Sequence, residues 1–515
     1  MNNKSRTYNS TQNIILGFVN KFVTIVLTFV SRAIFVRVLA ADYLGINGIF
    51  SDVLTMLSLA DLGLSTSMIY SFYKPIAEKD EDKLSALLNY YRKLYNIIAV
   101  IIACIGVALI PFLKYIINTK TSIPHINLYY LVFLTNTVVS YLCIYKSCMI
   151  SADQKGYIIS KINVWIGVIK LVAQTVILYC THNYFWYIAI TIFVTVVNNL
   201  IISRKADTMY PFIKKKLPLP KEEKFKIFND MKSVFIYKFA GVVMVGTDNT
   251  LISILVGTAS VGVYSNYNTI TSNLGSIGFL LFSSLTASLG NLLVVEKSEK
   301  RYQVFKMMQM ISFWLGGLCI SCLWYLMDDF LDLWVGNNYV FDKVVLVAIL
   351  VNLYLTLTLQ PILAFRDAAG IFFQTKYIMV LTAVINLVLS IILGKQYGVA
   401  GIIISTFISK IVTYFWYEPR ILFHSFFNMK VRSYYYEHLG NVVLTFVSIL
   451  ILSFILPTFA KVTYINWFLK ALLAGIVVTA IYVLRYFKTD EFKLVIDKVL
   501  QIKLAIMKRN KECTN

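Results

Sequence analysis

The chain has 515 residues, 58% of them hydrophobic and only 14% charged, with 9 prolines and a formal net charge of +22. A soluble domain carries about 25% charged residues, so this composition excludes an ordinary soluble enzyme. The basic excess comes without any DNA- or RNA-binding motif, which leaves no reason to invoke a nucleic-acid partner.

Apolar runs of membrane-spanning length recur from end to end. About 20 consecutive apolar residues cross a bilayer as a helix. The expected spans lie near 11–34, 43–70, 94–117, 127–149, 157–180, 184–203, 231–256, 261–288, 305–327, 342–365, 373–394, 398–422, 438–459 and 463–486. The expected fold is therefore all-α and polytopic, with about fourteen transmembrane helices. The first is read as a span and not a cleaved signal, because no small-residue cleavage site follows it. Residues 1–203 make a six-helix bundle, and 204–230 a basic linker holding Lys214, Lys215 and Lys216 with Pro211, Pro218 and Pro220. A second six-helix bundle covers 231–424 and two extra helices cover 425–487. The segment 488–515 places apolar residues at helical spacing between lysines, the pattern of a helix lying on a membrane surface.

The positive-inside rule supports this count. With the N-terminus in the cytoplasm, the inside segments collect most of the 48 Lys and Arg. The outside segments hold only Arg37, Lys114, Lys120, Lys343, Lys395, Lys461 and Lys470. Both termini are then expected to be cytoplasmic. Anionic lipid at that surface accounts for most of the net charge.

Catalytic and metal chemistry find little support. Seven cysteines are scattered, and the pair Cys319 and Cys322 lies in an apolar run beside Gly316 and Gly317, where small residues serve helix packing. The histidines at 125, 182, 424 and 438 form no metal motif. No phosphate-binding loop, nucleophile elbow or paired-carboxylate loop is present. The chain is expected not to be an enzyme and to need no cofactor beyond a coupling H+ or Na+. A membrane polymerase or ligase would need a large outside loop with Arg and His, and the loops near 118–126 and 328–341 are short.

What remains is charge inside the membrane, which costs roughly 2.5–3.5 kcal/mol per group on insertion scales and so calls for a cavity, a partner or water. Lys21, Arg32, Lys170, Lys238 and Lys410 fall within spans. Eleven residues separate Lys21 from Arg32, about 20° of net helical rotation, so both share a face. The two halves also echo each other. Shifting residues 20–50 by 217 positions lays Lys21-Phe22 on Lys238-Phe239, Arg32 on Asn249, Leu44-Gly45 on Val261-Gly262 and Phe50 on Tyr267. At an offset of 216, Ile169-Lys170-Leu171-Val172 meets Ile385-Asn386-Leu387-Val388. Internal repeats are common in transporters. A basic, water-filled cavity between the halves would hold an anionic headgroup, while lysines near helix ends can instead reach the interface by snorkelling. Asp248 is read as a coupling-ion site or an ion-pair partner of Lys238. Asp61 is a second coupling candidate, and both Asp61 and Asp52 are left between local capping or pairing and function.

Several stretches carry a family resemblance: Ser31-Arg32-Ala33, Asp42-Tyr43-Leu44-Gly45, Asp248-Asn249-Thr250, Gly262-Val263-Tyr264-Ser265-Asn266-Tyr267, Leu333-Trp334-Val335-Gly336, Phe365-Arg366-Asp367-Ala368-Ala369-Gly370 and Gly398-Val399-Ala400-Gly401. In order and spacing the chain resembles the polysaccharide transporter (Wzx-like) family of lipid-linked oligosaccharide flippases, within the multidrug, oligosaccharidyl-lipid and polysaccharide exporters. The resemblance implies two six-helix bundles around a central cavity. It implies transfer of undecaprenyl-pyrophosphate-linked repeat units for O-antigen, capsule or similar surface polymers, by alternating access driven by an ion gradient. Its partners would be lipid-linked oligosaccharide, membrane lipid and other polysaccharide-assembly membrane proteins. Arg32, Lys238, Lys21, Lys170, Lys410 and Asn249 would meet the headgroup. Tyr264, Asn266 and Tyr267 would meet sugars, or else anchor at the interface. The competing cargo is a cationic drug, which favours acidic residues in the cavity.

Overall fold

A computed structural model describes residues 6–39, 41–58, 64–118, 123–215, 217–225, 227, 241, 246–283, 285–457 and 462–497. Every regular element among them is helical. Eight helices are long and apolar enough to cross a membrane, or ten if each of two bent pairs forms one span. The chain is a multi-pass membrane protein.

The expected count of fourteen is not matched one for one, and the reasons are local. The run at 43–70 is two helices, α2 (Ala41–Leu57) and α3 (Leu64–Glu78), and α2 alone is too short to qualify. The run at 127–149 bends by 43° between α6 (Ile126–Tyr141) and α7 (Ile144–Ala152). The run at 342–365 bends by 40° between α14 (Lys343–Thr358) and α15 (Gln360–Ala369), where Pro361 opens the second piece. The two runs at 373–394 and 398–422 join into α16 (Phe372–Val412), broken only at Gly398, with φ 58° and ψ −135°. A side chain is strained in that conformation, so glycine turns the chain there without loss. Most of the run at 231–256 lies outside the described residues.

The chain divides into two compact units, Met1–Ser265 and Asn266–Asn515. In the first, α1 (Arg6–Val38) packs on α8 (Gly156–Thr181), and α8 on α9 (Tyr184–Met209). Helix α4 (Glu81–Ala108) packs on α6. The surface pattern is that of a protein solvated by lipid. On α1, Val19, Phe22, Val26 and Val30 face outward at helical spacing, as do Trp165, Ile169, Val172 and Val176 on α8. Polar residues such as Gln174, Asn249 and Ser253 are buried instead. At the linker, Lys215 pairs with Asp82 at 2.7 Å, and that carboxylate holds its ammonium above the ordinary range.

The unit boundary falls past the basic linker because α10 (Asp248–Leu255) and the start of α11 (Thr258–Ser283) are tied to the first unit. Ser253 Oγ donates to the Ile116 carbonyl at 2.6 Å, and Thr258 N donates to the Asn118 carbonyl at 2.8 Å. Helix α2 closes on the same point. A Cβ on Gly45 would sit 2.1 Å from the Thr258 carbonyl oxygen. That atom is backbone and cannot swing aside. Gly45→Ala is expected to cost about 1–3 kcal/mol, as overpacking does. Gly440→Ala, where nothing lies within 4 Å, should be neutral or slightly stabilising. Thermal unfolding of both purified variants checks this, and equal midpoints would count against the close approach.

In the second unit the long helix α13 (Ser298–Val335) packs on α14, α18 (Arg432–Ile455) and α19 (Tyr464–Tyr486). Phe305, Phe365, Phe423, Phe427 and Tyr434 form an aromatic core at one end. Residues 490–497 are helical, and Leu494 and Val495 pack against that core while Glu491 pairs with Lys306 at 2.8 Å. Where a surface helix was expected to lie on lipid, its first turns dock on the protein; the rest of 488–515 lies outside the described residues.

Candidate functional site

The first unit holds a cavity of about 520 Å³. Five helices build it. Helix α1 contributes Thr24, Thr28, Ser31, Arg32 and Phe35; α2 contributes Leu44, Asn47 and Ser51; α6 contributes Val132, Phe133 and Asn136. Helix α8 contributes Asn163, Gly167, Lys170 and Gln174, and α9 contributes Tyr187, Ile188 and Thr191. The α8 residues recur every three or four positions, so one stripe of that helix faces the space. Gly167 lets α1 approach, since a Cβ there would lie 3.0 Å from Leu27.

Two cations face this space, and its described lining holds no carboxylate. Arg32 donates through Nη2 to the Ser265 hydroxyl at the start of α11. Ser31 Oγ lies 3.4 Å from Tyr187 Oη. Gln174 Nε2 donates to the Tyr187 carbonyl and to Thr191 Oγ1, both at 3.2 Å, which fixes the amide toward α9. Thr195 Oγ1 donates to Asn136 Oδ1 at 2.8 Å. Rings of Phe35 and Tyr187, 5.1 Å apart, continue into Tyr184, Tyr43 and Tyr129 at the end where α1 finishes. The space thus offers positive charge, amides and hydroxyls on one side and an aromatic wall at one end. Such a lining suits a phosphate-bearing, hydroxyl-rich ligand.

Of the residues singled out in the sequence, Arg32 and Lys170 come together here. Lys21 is half-buried on α1, a turn beyond the last lining residue on that helix. Asn249 is buried on α10 and hydrogen-bonded to Asp52, and Tyr264 lies beside Asp248 and Asp52. The amide oxygen of Asn249, Oδ1, has no partner among the described residues. These four side chains form a separate polar cluster. Asn266, Tyr267 and Lys410 belong to the second unit. There Tyr267 accepts from the Phe341 amide at 2.9 Å and stacks on the Phe341 ring. Lys410 is buried near the end of α16, beside a polar seam in which Asn386 donates to Thr406 at 2.9 Å. Lys238 and Asp61 lie outside the described residues.

Sequence reading missed the neutral part of the cavity: Asn47, Ser51, Asn136, Asn163, Gln174, Tyr187 and Thr191. The signal was present on α8, where Asn163, Lys170 and Gln174 repeat at helical spacing in an otherwise apolar run. It also left Asp52 unassigned, although Asp52 is the partner of Asn249.

No family model and no curated protein matches this sequence. Solved structures do match in fold. The lipid II flippase MurJ in an inward closed conformation aligns with a TM-score of 0.67 at 13% identity, covering 92% of this chain and 100% of that one. An inward-facing multidrug resistance MATE transporter of the MOP superfamily aligns at 0.60 and 15% identity, over 77% of this chain and 94% of that one. A MOP superfamily transporter from Pyrococcus furiosus, described as having a binding pocket of reverse polarity, aligns at 0.58 and 15% identity, over 81% and 96%. The chain therefore has the fold of these transporters.

Proposed function

We propose that the chain is a flippase for a polyprenyl-pyrophosphate-linked oligosaccharide, moving it across the bacterial cytoplasmic membrane for assembly of a surface polysaccharide. The observation that carries this reading is the cavity with Arg32 and Lys170 and no carboxylate in its described lining. A pyrophosphate leaving water loses hydration, and desolvated cations offset that loss. The amides and hydroxyls of Asn47, Asn163 and Thr191 would bond the sugar, and Tyr187 would stack on it. The polyprenyl tail stays in lipid. MurJ, whose fold the chain shares, is a lipid II flippase. No enzymatic step is needed, and both termini face the cytoplasm in this reading.

Transport is proposed to run by alternating access coupled to H+ or Na+. Asp248, with Asp52, Asn249 and Tyr264 beside it, gathers oxygen donors suited to a hard cation. The test is a flipping assay in proteoliposomes with a fluorescent pyrophosphate-linked lipid oligosaccharide. Wild type should flip, faster with an imposed ion gradient, and Asp248→Asn should lose the gradient effect. A mutant that keeps full gradient dependence removes Asp248 from coupling and leaves the cargo reading intact.

A cation-coupled multidrug exporter is the second reading, because MATE transporters share this fold. Cationic cargo is disfavoured by a cavity carrying Arg32 and Lys170. Wild-type protein that moves cationic dyes but no lipid-linked sugar decides for it.

A further inference from the structure

A second cavity, of about 620 Å³, opens between α8 and α9 at one end of the first unit. It is lined by Lys161, Arg204 and Lys205, by Ile158, Ile162 and Ile201, and by Tyr157 and Thr208 nearest the helix ends. Lys161 lies five residues into α8, and Arg204 lies five residues before the end of the antiparallel α9, so the cations sit at one level. Ile201 lies about one turn deeper on α9.

This groove is distinct from the cargo cavity. Nine residues separate Lys161 from Lys170, about 180° of rotation, so the two lysines occupy opposite faces of α8. The basic character of this end is also not spent on ion pairs. One face of α9 is neutralised, because Lys146 pairs with Asp207 at 2.7 Å and bonds Ser203. Lys155 pairs with Asp153 in the same region. Among the described residues no carboxylate pairs with Lys161, Arg204 or Lys205, and all three are exposed. The opposite end of the same helices differs: between Lys170 and Arg204 the sequence has no Lys or Arg.

We propose that this groove binds an anionic phospholipid of the leaflet it faces. The phosphodiester meets Lys161, Arg204 and Lys205. One acyl chain lies along Ile162 and Ile201. Charge at one level, with Ile162 beside it and Ile201 about one turn deeper, matches an amphiphile and not a soluble anion.

Native mass spectrometry of the full chain, released from bilayers of equal parts phosphatidylglycerol and phosphatidylcholine, tests this. Wild type should retain phosphatidylglycerol over phosphatidylcholine. The triple variant Lys161→Gln, Arg204→Gln, Lys205→Gln should lose about 100-fold in that preference, at about fivefold per cation. A control triple, Lys297→Gln, Lys300→Gln, Lys430→Gln, removes equal charge elsewhere and should behave as wild type. Wild-type retention by the groove variant, or an equal loss in the control, overturns the proposal. So does displacement of the lipid by inorganic phosphate, which would mark a free-anion site. Stronger displacement by polyprenyl pyrophosphate than by phosphatidylglycerol would assign the groove to cargo entry and overturn it likewise.

Discussion

Arg32→Gln is expected to lower the initial rate of lipid-linked oligosaccharide flipping about 100-fold at equal membrane levels. The guanidinium is one of two cations facing the cavity of the first unit, and it is held there by its contact with Ser265. A planar fork bonds a phosphate through two N–H groups at once, and hydrogen bonds to charged groups contribute about 1.5–3 kcal/mol each. Losing the fork also leaves the cargo anion less compensated in a low-dielectric space. Arg32→Lys keeps the charge but not the fork, so it should recover part of the rate. Lys170→Gln should cost about tenfold, since a lysine acts as a point charge. The two losses will not add, because both cations would act on one anion. Lys21→Gln is the control: it lies on the same helix but outside the cavity lining and should change the rate less than twofold. Flipping at the wild-type rate by Arg32→Gln removes the headgroup assignment. A large effect of Lys21→Gln moves the site along α1.

The helical, membrane-spanning nature of the chain was legible because hydropathy is a bulk signal that survives any detail of packing. The breaks were not. Leu142 and Leu359 sit where helices bend, and a bend inside an apolar run leaves hydropathy unchanged. The expected spans 373–394 and 398–422 part where the chain turns at Gly398, but the glycine's positive φ is visible only in the structure. The division of the chain shows a similar limit. The basic linker after residue 203 is a covalent boundary, whereas the compact units part at Ser265, where hydrogen bonds of Ser253 and Thr258 hold the next helices to the first unit. For the site, charge in an apolar run pointed to Arg32 and Lys170 by cost alone. Neutral polar residues carry a smaller cost and are ordinary in helix interfaces, so Asn47, Asn136 and Thr191 gave no comparable signal. Asp52 was visible as a charge, but its neighbour Asn249 is remote in sequence, and only folding brings them together.

Arg366→Ala is expected to destabilise the second unit by about 3–5 kcal/mol, the usual cost of removing one partner of a buried ion pair. Arg366 Nη1 donates to Glu418 Oε1 at 3.0 Å, while Nε and Nη2 donate to Asp367 Oδ1 at 3.0 and 2.8 Å. Glu418 is 1% exposed, and Asp367 is partly open to solvent, so the two carboxylates differ in what they lose. Asp367 can be rehydrated. Glu418 would be left buried without its cation, and its other oxygen, Oε2, already has no partner among the described residues. The pair also joins α15 to α17 (Tyr414–Leu422), the short helix that carries Pro419 and runs into the π turn at 423–427. Glu418→Gln keeps an acceptor for Arg366 but strands part of its charge, so it should lose less than Arg366→Ala. Arg366→Met with Glu418→Met removes both charges and fills similar volume, so it should be more stable than Arg366→Ala. Thermal unfolding of the four purified proteins in one detergent reads this directly. A double variant less stable than Arg366→Ala would mean that the pair stabilises the unit outright, and that the cost of a stranded Glu418 is not what the single substitution measures.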